Sequence, residues 1–571
     1  MKSLSLVLLF VVLVNANEDL DWWTNGVFYE IYPRSFSDSN GDGIGDIRGI
    51  INNLEHLVEL GVTGFWLGPV FRTTMIDGGY DVTDHRSVDP VFGTDADLIV
   101  LIVRARALNL KVILDFIPNQ TSEQHEWFLQ SATRAAGYEN FYHWQDCPME
   151  NNARRLHNNW ISTVHIPSWT YNPMRDQCYM HQNAPGMPDL NFRDPQVYLM
   201  MLDIATFWLE RGVDGFRVDG VKVFETAGLP FAERLPGSQD NTARDSLIHA
   251  HTVNRPESFE FIDTVRSLVD NFTRSANDGR TRIVVADTYG NTQTRWYGAN
   301  PERPGAHIPL SVALTTGLDV GSTAFTIMQR VLDAIDMTPV WGEPNWSLGN
   351  HDTPRTNFRL GEGSHESFSI LSLMLPGPNF IYYGEEIQMT DHRGITLAEA
   401  DDPVARYVNE TILPRWTRDP ARTPFQWNNS TNAGFSSSVT GTWLPVHPDF
   451  RAVNLAVQKE AERSTFKLYK TLIELRKEYK SLEIGSMSIK VINDHTLGLM
   501  RTLRGYPTVA VLIYLGPGDT FVQLRDVIGT EYSDGSSGRV LASTTRSSLI
   551  EGLRVGDNQD IYMARFDAIV F

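Results

Sequence analysis

The sequence predicts a (β/α)8 barrel with a loop-rich subdomain inserted after its third strand and a C-terminal antiparallel β domain. Three observations predict it. Short apolar runs alternate with amphipathic stretches, which reads as a parallel sheet built from βα units. Several of those runs end on an acid, and barrel enzymes carry their chemistry on the C-terminal ends of their strands. From about residue 485 the helical period stops, and strand-like runs separated by turn residues take over.

The elements follow in order. GFWLGPV (64–70) comes after a stretch with Ile50, Ile51, Leu54, Leu57 and Leu60 on one helical face and Gly61 at its end. VILDFIPN (112–119) follows a second helical stretch marked by Leu98, Leu101, Ile102 and Ala105. GFRVDGV (215–221) follows MMLDIATFWLERG, closed by Gly212. RIVVADTY (282–289) follows FIDTVRSLVDNF, and FIYYGEEI (380–387) follows SFSILSLML. So many units suit a closed barrel better than a small doubly wound sheet. Residues 120–190 break the alternation, being rich in Asn, Trp, Tyr and Pro. SMSIKVI, TLGLMRTL, TVAVLIYL and DTFVQL supply the C-terminal strands. The expected division is a 1–16 leader, a barrel over 17–119 and 191–484, an insertion over 120–190 and a β domain over 485–571.

Composition narrows the function. A formal net charge of -20 repels nucleic acid and anionic membranes, and the 21% charged content is ordinary for a globular chain. Met1-Lys2, the apolar run Leu4–Val14 and the small residue Ala16 read as a secretory signal, too short to span a bilayer. An extracellular location is therefore expected. In that setting the two cysteines, Cys147 and Cys178, are expected to be bridged, with two buried free thiols as the alternative. Glycosylation sequons stand at Asn119, Asn271, Asn345, Asn409, Asn428 and Asn429. That of Asn119, at the barrel mouth, is expected to be inaccessible.

The acids at strand ends point to glycosidic-bond chemistry. Asp115, Asp219 and Asp287 end three runs, and Asp352 follows His351 in WSLGNHD. Cleaving a glycosidic bond takes one carboxylate at the anomeric carbon and a second, protonated, at the leaving oxygen. Arg217 lies two residues before Asp219, which puts both side chains on one face of a strand. An arginine there holds a carboxylate ionised and oriented. One such acid alone reads as a cap at a strand–helix turn; three with a histidine read as a site.

These residues sit in blocks that resemble the α-amylase family of glycoside hydrolases, in particular its insect maltase and oligo-1,6-glucosidase group: WWTNGVFYEIYPRSFSDSNGDGIGDIRGI, FGTDADL, GFRVDGV, GNHDTPR, YYGEEI and RTPFQW. The resemblance implies a retaining mechanism on α-glucosidic bonds of small α-glucosides. It implies Asp219 as nucleophile, Asp287 as acid/base and Asp352 as the third carboxylate, which grips sugar hydroxyls. Asp77, Tyr80, Gln120, Arg217, His351 and Arg422 match positions lining the terminal-glucose subsite. Val221 matches a position that tunes linkage preference.

Asp38, Asn40, Asp42, Ile44 and Asp46 match a structural Ca²⁺ loop of the same family, with the Ile44 carbonyl as a ligand. Oxygen donors at alternate positions suit that ion, although Gly49 stands where an EF-hand needs glutamate.

The match departs at the site itself. The family acid/base is glutamate, and here it is Asp287, shorter by one methylene. Gln120 replaces a histidine, Met187 replaces a glutamine, and an aromatic residue is expected near Asn183. These departures predict weakened or altered hydrolysis. The alternative is a catalytically weak or inactive relative that binds a sugar or a protein. A third reading, the heavy chain of an amino-acid transporter, shares the fold but needs a membrane anchor.

Overall fold

A computed structural model describes residues 10–12, 21–220, 244–288, 294–339, 341–529 and 537–571. The barrel strands are β1 (Val27–Ile31), β2 (Gly64–Leu67), β3 (Lys111–Phe116), β4 (Gly215–Val218), β5 (Ile283–Ala286), β6 (Ile308–Pro309), β7 (Trp346–Ser347) and β8 (Asn379–Tyr382). They form one parallel eight-stranded sheet in the order β6-β5-β4-β3-β2-β1-β8-β7.

Between β6 and β7 a side chain does the joining. The Asn345 amide donates to the Pro309 carbonyl (2.7 Å), and its oxygen accepts from the Ser311 N–H (2.8 Å). This satisfies backbone groups that a two-residue strand leaves unpaired. Asn345 is consequently 2% exposed, and Asn119 is 4% exposed, so neither sequon is open to a transferase. Asn271, Asn409 and Asn429 are exposed.

Helices fall where their apolar periods place them, with one difference. The expected helix over 50–60 is two, Ile47–Asn52 and Leu54–Leu60, broken at Asn53. Gly61 takes the left-handed conformation (φ 89°) that ends the second, which a side chain at that position resists.

Strand parity sorts the barrel interior into layers, because alternate residues face the same way. Phe28, Trp66, Ile113, Ile283, Val285, Ile308 and Phe380 pack together as an apolar plug, closed from below by Trp23. Two residues beyond Phe28 and Ile113, at the C-terminal ends, stand Glu30 and Asp115. The strands thus change from apolar to ionisable along their own length.

The insertion is fastened at its two ends by isolated bridges, Gln120 to Asp189 and Tyr142 to Leu190. It contains a three-stranded sheet, and a disulfide joins Cys147 to Cys178. The C-terminal domain supplies five strands of a six-stranded sheet, and its strand Val509–Tyr514 is buried on both faces. Val511 and Ile513 face the main core; Ala510, Leu512 and Tyr514 face a second one. Of the expected leader, Phe10–Val12 pairs antiparallel with Met487–Ile489; the rest lies outside the described residues. No helix among the described residues is long and apolar enough to cross a membrane.

Candidate active site

Register brings the acids together. Arg217 on β4 stands level with Asp115 on β3 and Val285 on β5. One layer higher, the N–H of Asp219 donates to the Phe116 carbonyl (2.8 Å), and that of Asp287 donates to Val218 (3.1 Å). Asp219 and Asp287 are therefore neighbours on adjoining strand ends.

One guanidinium serves all three acids. Arg217 donates to Asp115 (3.1 Å), Asp219 (2.7 Å) and Asp287 (2.9 Å). It lies over the Trp66 ring, 4.5 Å from the centroid. Asp115 is wholly buried and also accepts from the Tyr80 hydroxyl (2.9 Å). Burial pushes the Asp115 carboxyl above its ordinary value, against the pull of Arg217 and Tyr80. Asp219 and Asp287 keep 18% and 25% of their side chains exposed, toward a cavity of about 340 Å³.

A second cluster closes the other side. His351 binds Glu30 through Nδ1 (2.7 Å) and lies 3.6 Å from Asp352 through Nε2. Arg422 donates to Asp352 (2.8 Å), Asp77 (3.3 Å) and the His351 carbonyl (2.7 Å). Desolvation at the cavity wall raises the Asp352 carboxyl only weakly, since its side chain is 47% exposed; His351, Arg418 and Arg422 outweigh it and hold the group below the usual carboxylate range.

Asp77, Tyr80, Gln120, Asp219, Asp287, His351 and Asp352 all line the cavity. Arg217 and Arg422 sit behind it, 4% and 2% exposed. Val221 lies outside the described residues.

Sequence reasoning missed Arg418, Asp402 and Glu30. Arg418 reaches Asp352 (2.9 Å), Asp77 (2.8 Å) and Asp402 (2.8 Å), and lines the cavity. Its only signal was the spacing Arg418-Asp-Pro-Ala-Arg422, two cations bracketing one turn.

The departures fall in the same cavity. Gln120 donates to the Tyr80 carbonyl (3.3 Å) and leaves its buried oxygen without a protein donor. Met187, 1% exposed, adds an apolar wall. Aromatic lining comes from His165 and Trp416, whose rings lie 3.8 Å apart.

The 38–46 loop is organised by its own amides. Asp38 accepts from the N–H groups of Asn40 (2.9 Å), Gly41 (2.7 Å) and Gly43 (2.8 Å). Asp46 accepts from those of Ser39 (2.8 Å) and Gly49 (2.7 Å), capping the Ile47–Asn52 helix. Among the described residues, no three acids, histidines or cysteines are gathered as a cation site. Asn40 and Asp42 are exposed, and their oxygens keep lone pairs that suit a hard cation.

Paired carboxylates on a shared arginine, at the C-terminal mouth of a barrel, define a site of the glycosidase class. Comparison with known proteins agrees. The family model for the alpha-amylase catalytic domain matches residues 30–485. The chain is 40% identical over 502 residues to Maltase 1 of Drosophila virilis, covering 87% of this chain and 79% of that one. It is 36% identical over 539 residues to the salivary alpha-glucosidase of Anopheles gambiae, covering 90% of each. Among solved structures, the alpha-glucosyl transfer enzyme XgtA superposes with a TM-score of 0.83 at 29% identity, covering 97% of this chain and 99% of that one. The chain belongs to the α-amylase family and is a glycoside hydrolase.

Proposed function

We propose that the protein is a secreted α-glucosidase. It removes terminal glucose from maltose, sucrose or malto-oligosaccharides by double displacement with retention, at a rate limited by Asp287. The observation carrying this reading is the shared guanidinium, which binds Asp219 at 2.7 Å and Asp287 at 2.9 Å over one cavity. In the first step an Asp219 oxygen attacks the anomeric carbon, and the leaving oxygen takes a proton from Asp287. In the second, water gives its proton to Asp287 and its oxygen to the anomeric carbon, releasing Asp219. Asp77, Asp352 and Arg418 grip the sugar hydroxyls. Secretion is supported by the signal-like N-terminus and by likeness to a salivary enzyme.

General acid catalysis contributes roughly 100- to 10,000-fold, and most where the leaving group is poor. Purified protein is therefore expected to hydrolyse an activated aryl α-glucoside at least about 100-fold faster than maltose, measured as kcat/KM. Equal constants would show that Asp287 protonates without handicap. No hydrolysis of either substrate, with sugar binding intact, would favour the binding-protein reading.

Calcium is proposed as a structural ion on the 38–46 loop, held by oxygens of Asp38, Asn40, Asp42, the Ile44 carbonyl and Asp46. A bound ligand stabilises by about 2.7 kcal/mol at roughly 100 times its Kd. Chelation with EGTA is expected to lower the melting temperature, and added calcium to restore it. An unmoved melting curve counts against the ion.

A further inference from the structure

We propose that Glu30 is the positioning residue of His351, holding that ring as an imidazolium whose Nε2–H faces the sugar-binding cavity. This deepens the glycosidase reading above and rests on it.

Glu30 occupies an inward position on β1, two residues beyond Phe28 of the apolar plug, and is 3% exposed. A carboxylate so placed is strongly disfavoured unless a donor meets it. Glu30 Oε1 lies 2.7 Å from His351 Nδ1, with the His351 N–H more distant at 3.4 Å. Burial pushes the Glu30 carboxyl above its ordinary value, and His351 and Arg217 pull it back toward the charged form that accepts from Nδ1–H. Because Nδ1 is committed to Glu30, Nε2 is the nitrogen left for the cavity that His351 lines.

The ring's faces fit a cation. Tyr32 and Tyr80 stack on it, with centroids 5.8 and 5.3 Å away and interplanar angles of 18° and 12°. Trp66 meets it edge-on at 5.9 Å. The charged groups around it are Glu30 from β1, Asp115 from β3, Arg217 from β4, its own neighbour Asp352, and Arg422. Arg217 is itself paired with Asp115, Asp219 and Asp287, and Arg422 with Asp77 and Asp352, so Glu30 is the carboxylate here that neither guanidinium bridges. Burial lowers the basicity of His351, but Asp352 and Glu30 together raise it above the ordinary imidazole value.

Glu30→Gln keeps the shape and the hydrogen-bond acceptor but removes the charge. Glucose, a neutral ligand, is titrated calorimetrically between roughly pH 5 and 9, the range that brackets imidazole titration. The variant is expected to match the wild type at the acid end and to begin losing affinity at a lower pH than the wild type does. At pH values above both titrations the two differ by about tenfold for each pKa unit lost. A structural role alone would weaken binding equally at every pH, so parallel or superimposed curves overturn the proposal. If the variant does not fold, ¹⁵N-histidine spectra of the wild type decide, with His351 assigned by its loss in His351→Gln. Both ring nitrogens protonated at neutral pH supports the proposal; a neutral ring overturns it. A wild type that binds no glucose at any pH removes the glycosidase reading, and the nitrogen spectra still report the ring's charge.

Discussion

Arg217→Met is expected to destabilise the protein by about 3–5 kcal/mol and to reduce turnover by at least about 100-fold. Arg217 is 4% exposed and is the cation nearest three carboxylates, one of them, Asp115, without any exposure. Methionine fills much of the same volume, so the loss is one of charge. The stability cost attaches to Asp115, because Asp219 and Asp287 retain contact with the cavity. The cost carries a pH signature. Burial already places the folded-state value of Asp115 above its ordinary one, and loss of the guanidinium raises it further. A group so raised favours the folded state while protonated, and that advantage is lost as pH rises through the folded value. The variant should therefore approach wild-type stability at acid pH and fall away toward neutrality. Urea denaturation at several pH values measures this. Arg217→Lys, which keeps the charge but not the fork, is expected to recover part of the stability and little of the activity. If Arg217→Met were as stable as the wild type at neutral pH, the guanidinium would not be what holds Asp115 ionised.

What the sequence disclosed follows from how far each signal reaches along the chain. β2, β3, β4, β5 and β8 are predominantly apolar runs of four to six residues, so they stand out against the helices before them. β6 and β7 have two residues each and carry no period at all; the Asn345 side chain bridges them, in a local sequence that reads only as a sequon. Asp219 and Asp287 were legible because parity within a strand places them. Arg418 was not, because its partners Asp77 and Asp352 lie 341 and 66 residues away and meet it only through loops. Glu30 was hidden for the opposite reason. It sits inside an apolar run, and only its distance to His351, 321 residues on, separates a buried acid with a task from an unexplained one. In the 38–46 loop the alternating oxygens are legible from the sequence, but their engagement by the loop's own backbone amides is set in three dimensions.

Asp287→Glu is expected to raise kcat/KM on maltose by about 100-fold while changing that on an aryl α-glucoside by less than about tenfold. The added methylene extends the side chain by roughly 1.5 Å. That length matters because the Asp287 carboxyl lies back on Arg217 at 2.9 Å, with one oxygen engaged as an acceptor and the other left for the cavity. A longer side chain can keep the guanidinium contact and still reach a leaving oxygen above Asp219. The cavity, about 340 Å³ and open to the 25%-exposed Asp287 side chain, has room for it. The gain should appear where the leaving group is poor, since an aryl alcohol departs with little help and maltose does not. The split between the two substrates is what isolates proton donation, because a general improvement in binding would raise both. No gain on maltose would move the deficiency to Gln120 and Met187, which line the same cavity. Restoring histidine at Gln120 and glutamine at Met187 in the Asp287→Glu background would then separate poor binding from poor protonation, since the first moves KM and the second kcat.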